Sequence, residues 1–509
     1  MRQLVFRSLR SLRSFEVPAL TIALAAFAFG CSSGSSSGPD TGSPPAPVAN
    51  GGDPGGSTKP AAGKATVRVV HASADAPKVD VYAAGGENPI VTGLAYGDAS
   101  PYIEVNPGST AFELRASPST SSDPVAFTSP AVAIAAGDKI TAVAAGRLAS
   151  KGGADALRVL PLVEGFDAAK AGSAIVRVVH ASPDAPAVGV DVGDDDPRAP
   201  EIPSLARFAD TGASGVALPS GAALRVGIDA AGSRVTSFTT PKLPDGAEVF
   251  VIAVGNVARL ARQPSGFALL AVGPGGSLGF VRQDPVVYAL HASPDAPAVD
   301  LFAGEAELAD GLAFGQLSAP IQVSPGAKTI DFYAHAEGGE RPDAKPAAEA
   351  VTASLVAGER YLAVATGFLA PKTAAEPAFQ LAAFQEGFAL DDAGATRLRV
   401  VHASPDAPGV DVGHVQGAAI APVVFSSIHF GKSSSDAGLS LAPKHYALGV
   451  TPAGQDASIV ARFAVTATPG ARAFGVAAGA LGAGRGQAFR LLVVDTATSP
   501  WTAAAIAPY

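Results

Sequence analysis

Val176-Arg177-Val178-Val179-His180-Ala181-Ser182-Pro183-Asp184-Ala185-Pro186 decides the fold, because the chain writes this phrase four times. Close copies run over Val67–Pro77, His291–Pro297 and Arg399–Pro408, and the histidines His71, His180, His291 and His402 fall 109, 111 and 111 residues apart. That period is the length of a whole domain, and no half-unit repeat is visible that would make propeller blades. The phrase reads as a strand that enters, turns and leaves. β-branched residues lead into the histidine, and Ser-Pro-Asp-Ala suits a type I turn, with proline presetting φ and aspartate bonding nearby N–H groups.

Later landmarks recur at matching distances. An apolar run ends at glycine over 140–146, 249–255, 361–367 and 473–479, and a closing strand follows over 157–163, 267–272, 379–384 and 489–494. Within each unit, short β-branched runs alternate with Gly, Pro, Asp and Ser at a spacing near ten residues, the pattern of an all-β sandwich or barrel. The expected units span 65–168, 174–283, 284–391 and 396–509. Units one and three share Gly-Leu-Ala-aromatic-Gly (93–97, 311–315) and Glu-Gly-Phe (164–166, 386–388), whereas units two and four share Val-Asp-Val-Gly at 190–193 and 410–413. An A-B pair duplicated to A-B-A-B explains this and predicts that A and B pack against each other in a repeated way.

Alternation places Val67, Val69 and His71 on one strand face, so the histidine ring is expected to cap the core edge and bond to the turn. The repeated structural set is then His71, Asp75 and Pro77, with His180, Asp184 and Pro186, His291, Asp295 and Pro297, and His402, Asp406 and Pro408. His, Ser and Asp are the residue types of a hydrolase triad, but adjacency along an extended strand does not supply triad geometry, and no Gly-x-Ser-x-Gly elbow surrounds the serine. No His-Glu-x-x-His or cysteine set is present. His335, His414, His429 and His445 read as surface or hydrogen-bonded residues, and Asp194-Asp195-Asp196 as a solvated turn rather than a calcium loop. The sequence therefore points to no catalytic residue, metal or cofactor.

The phrase resembles the bacterial family known as domain of unknown function 4397 (DUF4397), whose members open with His-Ala-Ser-Pro-Asp-Ala-Pro followed by Val-Asp-Val and an aromatic. Unit one departs with Ala74 where the others carry Pro183, Pro294 and Pro405, and units two and four lack the aromatic. The resemblance implies exported or surface proteins built on a β-sandwich-like domain, with no established chemistry. The fold expected is all-β: four tandem immunoglobulin-like or transthyretin-like β-sandwich domains.

Ahead of the repeats, Arg2, Arg7, Arg10 and Arg13 precede an apolar run from Val17 to Phe29, the n- and h-regions of an export signal over 1–30. The run is shorter than the ~20 residues needed to cross a bilayer. Cys31, the only cysteine, follows Gly30 and resembles the lipidated cysteine of a bacterial lipobox, despite Ala28 where leucine is usual. Residues 31–64 are rich in Ser, Gly and Pro and read as a disordered tether. Charged residues are 16% of the chain and the net charge is -9, which argues against a nucleic-acid partner. The sequence thus suggests an exported lipoprotein of the outer membrane or cell surface, held in the membrane by a lipid anchor and meeting an extracellular or periplasmic protein or glycan. The function expected is a non-catalytic interaction or structural module. A glycan-binding protein is the alternative, weakened by a single tryptophan, Trp501, and eight tyrosines; an envelope hydrolase using His429 and His445 is the second.

Overall fold

A computed structural model describes residues 63–509, and the expected export signal, Cys31 and nearly all of the expected tether lie outside the described residues. The described chain is all-β, and one pair of sheets recurs four times. In unit one, the first sheet runs in the order Arg158–Val163, Lys139–Ala145, Ala65–His71, Ile103–Val105, and the second Val91–Leu94, Val79–Ala83, Phe112–Ala116, Phe127–Thr128. The motif strand is central and parallel to its neighbour, with Val67 opposite Ile140 and His71 opposite Ala144. The same parallel pairing recurs in the other three units. Parallel neighbours need a long crossover, and here the second sheet supplies it. Units two and four each add a fifth strand to the first sheet, Gly276–Arg282 and Thr502–Ile506.

Alternation sends Val67 and Val69 into the sandwich, against Val79, Val81 and Leu114. Val70 and Ala72 point the other way, into a second core shared with Val179, Phe250, Ile252 and Leu270 of unit two. Units three and four share an equivalent core of Leu290, Leu362, Val401, Phe474 and Trp501. A and B units therefore pack face to face within each pair, which leaves the motif strand buried on both sides and explains its near-continuous apolar run. Covering a valine in this way stabilises the fold by roughly 1.5–3 kcal/mol.

The pairs meet at a polar joint. Asp284, 1% exposed, lies in the short link into unit three; its backbone N–H donates to Ser237 O at 2.8 Å and its carboxylate accepts from Ser237 Oγ at 3.2 Å. Gln322 of unit three accepts the Ser237 N–H at 2.9 Å and donates to Asp284 O at 3.0 Å.

One sequence alignment needs correction. Strand register sets Val79, Val188, Val299 and Val410 at equivalent places, opposite Leu94, Leu205, Leu312 and Ile428. Val188, not Val190, thus corresponds to Val410, and Gly189 stands where the other units carry Asp80, Asp300 and Asp411. A strand slips in steps of two without changing its faces, so Val-Asp-Val-Gly matched equally well in the wrong register.

Candidate functional site

The four motif segments form the same clasp. His71 Nε2 lies 2.9 Å from Pro77 O, and the corresponding histidine–proline distances are 2.8, 2.9 and 2.8 Å in units two, three and four. Ser73 Oγ donates to Gly146 O at 2.8 Å, and Ser182 and Ser293 donate to Gly255 and Gly367. Asp75 accepts the N–H groups of Leu148 and Ala149, both at 2.9 Å; Asp184, Asp295 and Asp406 do the same at the equivalent loops. Burial alone would raise the Asp75 pKa, but the Ala149 and Leu148 donors outweigh it and hold the carboxyl below its ordinary range. Gly146 is required at the loop: φ is 99°, and a Cβ would meet Ala156 O at 2.5 Å.

In this geometry the three triad residue types do not assemble a triad. Ser73, Ser182, Ser293 and Ser404 are at most 1% exposed, and each imidazole Nε2 is bonded to a backbone carbonyl rather than to serine. The clasp ties the first turn to the loop after the parallel strand.

In units one, three and four a second aspartate braces the opposite sheet. Asp80 accepts from Gly93 N–H and Ser119 N–H, both at 2.7 Å, and Asp411 from Ser427 and Gly454. In unit three, Asp300 accepts from Gly311 N–H and meets His335 Nδ1 at 2.8 Å, with Asp310 3.1 Å from the same nitrogen. These three side chains could offer ligand atoms within 4.8 Å of one another, a grouping with no sequence motif; hydrogen bonding accounts for it. Unit two differs because Gly189 has no carboxylate. There Asp191, Asp194 and Asp229 gather around Arg234, and Asp194 also pairs with Arg225 at 2.8 Å. Asp194 is therefore not the solvated turn residue expected; its side chain is 6% exposed and neutralised by arginine.

The two faint catalytic candidates do not meet. Ile428, beside His429, shares the level of Val410 and Pro452, while His445 lies seven residues back along its strand, roughly 23 Å away at ~3.3 Å per residue. His445 instead bonds Thr466 Oγ1 at 2.8 Å.

A cleft of about 690 Å³ opens where units two, three and four converge. Of its charged lining, Arg360 forks onto Glu386 at 2.7 and 2.6 Å, and Arg262 donates to Phe388 O at 2.6 Å. Among the described residues, no histidine or cysteine lines it. Trp501 is 4% exposed and stacked on Tyr288 with ring centroids 4.3 Å apart, so it offers no platform for a sugar.

A family profile described as domain of unknown function (DUF4397) matches residues 65–191 and 285–413, together half of the chain. The chain belongs to the DUF4397 family. Each DUF4397 match starts at the first strand of an A–B pair and runs two strands into the B unit. No curated protein matches the sequence. Among solved structures, the Bacillus anthracis TIE protein is similar over 82% of this chain at 9% identity with a TM-score of 0.13, and the chain spans 66% of that structure's length.

Within this DUF4397 chain, sequence reasoning passed over the arginine three residues before the histidine. Arg68 of unit one donates to Gly273 O of unit two at 2.5 Å, and Arg177 of unit two donates back to Val163 O of unit one at 2.7 Å. Arg399 reaches Gln385 of unit three in the same manner. In unit three the place is taken by Tyr288, which stacks on Trp501. An arginine inside a β-branched run was the available signal, since a buried guanidinium requires a carboxylate or carbonyls from somewhere else.

Proposed function

We propose that this DUF4397 chain is a lipid-anchored cell-envelope protein, carrying four copies of the family's domain, that acts without catalysis as an interaction or structural module. The observation that carries this reading is the use of the repeated polar residues: the motif histidine and aspartate of all four units, and the serine of units one to three, are consumed in holding turns and loops. Pairs fused through shared cores and a polar joint suit a stiff spacer that presents loops and edges away from a membrane. The basic and apolar segment ahead of Cys31 supports export and lipidation.

Mass spectrometry of the native protein and its Cys31→Ala variant, with protease shaving of intact cells, tests the anchor. A diacyl or triacyl mass lost in the variant is expected, together with sensitivity to shaving. An unmodified, released chain would remove the anchor.

A further inference from the structure

In each unit, the closing strand, Arg158–Val163, Ala268–Gly273, Gln380–Gln385 or Arg490–Asp495, flanks the strand parallel to the motif strand and would be the sheet's edge on that side if nothing followed. An uncovered strand edge presents free N–H and C=O groups and is a template for another chain, so proteins cover it, blunt it or use it. Units two and four cover theirs. Gly276–Arg282 pairs antiparallel with Leu269 opposite Val281 and Ala271 opposite Gly279, and Thr502–Ile506 pairs with Leu491 opposite Ile506 and Val493 opposite Ala504. Among the described residues unit one has no fifth strand, but Pro161 occupies the middle outward position, opposite Ala142 on the inner strand, and removes the N–H there.

Unit three does neither. Glu386 N–H donates to Arg360 O at 2.7 Å, and with Leu362 opposite Phe384 this register commits Phe384, Ala382 and Gln380 to the inner strand. Leu381, Ala383 and Gln385 must then turn their backbone groups outward. Arg399 bonds the Gln385 carbonyl, while among the described residues the backbone groups of Leu381 and Ala383 meet no further strand. Ala383, opposite Ala363, stands at the position Pro161 holds in unit one. No charged residue interrupts Gln380–Gln385.

We propose that this edge of unit three is a strand-acceptor site, which takes an extended segment of another polypeptide in antiparallel register as the missing fifth strand. The inference rests on the interaction-module reading and names its partner class. The chain's own fifth strands define the chemistry of the occupant. Both are apolar and small-residue rich; in Thr502–Ile506, Ala503 packs into the core shared by units three and four, and Ile506 into the core of unit four. A partner segment would pair its backbone with Leu381 and Ala383, with a bulky apolar residue toward the sandwich, as Ile506 and Val281 are, and an alanine or an aromatic toward the neighbouring unit, as Ala503 and Phe280 are.

The test uses the full chain and two synthetic peptides, one with the sequence Trp501–Tyr509 and one with Gly275–Gln283, in calorimetric titration and amide hydrogen exchange. Saturable 1:1 binding of at least one peptide is expected, slowing exchange at Leu381 and Ala383 at least tenfold. Ala383→Pro should abolish it with Tm unchanged, because unit one already folds with proline there. A peptide N-methylated at the residue equivalent to Ala504 should fail to bind the unaltered protein, a control that leaves folding untouched. Absence of saturable binding by either peptide, binding that survives both changes, or protection confined to Leu491 and Val493 would overturn the proposal. So would a dimer of the chain alone that Ala383→Pro makes monomeric, since the occupant would then be a second copy. A negative result here leaves the lipid-anchor test standing on its own.

Discussion

Each motif histidine has a defined proton. Nε2–H donates to the proline carbonyl, and in units one and four Nδ1 faces the serine N–H at 3.4 Å, so a second proton on the ring would point at a donor. Burial lowers the pKa of His71, His180, His291 and His402 below the ordinary 6.5. A depressed folded pKa contributes stability that is present above 6.5 and lost as pH falls through the lowered value, because the unfolded chain takes up the protons first. Tm should therefore drop as pH is lowered from 7.5 to 5, as read by thermal unfolding. His335 works in the opposite sense: its hydrogen bond to Asp300 raises its pKa, so its contribution is present below 6.5 and lost as pH rises through the raised value. His335→Ala should cost more Tm at pH 6 than at pH 8.5. The histidine–turn contact was legible in the sequence because its partner lies six residues away; the Asp300–His335 bond, 35 residues apart, was not.

The motif strand does two jobs, one per face. Its valines fill the sandwich on one side and the shared core of the pair on the other, and its arginine crosses to the partner unit. Arg68 is 1% exposed, with Thr141 Oγ1 at 2.8 Å and Glu164 at 3.6 Å, and its pKa is lowered first by burial. Arg68→Ala would strip Gly273 O and Glu164 of a buried partner, at a cost of about 3 kcal/mol. Urea unfolding should show the loss in the first pair only. Trp501, the sole tryptophan and part of the second pair, should report an unchanged midpoint by fluorescence. Strand identity and approximate bounds were readable from alternation and turn residues. The parallel pairing was not, because it joins residues more than 70 positions apart that share no local signal.

At the scale of the whole molecule, cooperativity should follow the shared cores. Cutting unit one from unit two would expose Val70, Val143, Val179, Phe250 and Ile252, all buried, whereas the link between pairs is a polar joint around Asp284 and Gln322. Apolar burial couples unfolding far more strongly than hydrogen bonds that water replaces. Scanning calorimetry should therefore resolve two transitions, one per A–B pair. Four independent transitions would mean that the shared cores do not couple their units. The A-B-A-B pattern of landmarks foretold this pairing, since residues that differ between A and B, such as Phe166 and Phe388, are those that plug into the neighbour, stacking edge-on against Phe250 and Phe474.

The sequence by itself determined the repeat, the all-β class, the turn chemistry of the motif and the family resemblance, because these depend on residue order over a few positions and on a period that can be counted. Tertiary structure alone decided which face of each strand meets another unit, where the buried arginines find their carbonyls, the true register of Val188, and which closing strand no other strand covers among the described residues. Those outcomes depend on contacts between residues tens to hundreds of positions apart, and alternation is blind to them: a strand with both faces buried reads the same whichever neighbour covers it.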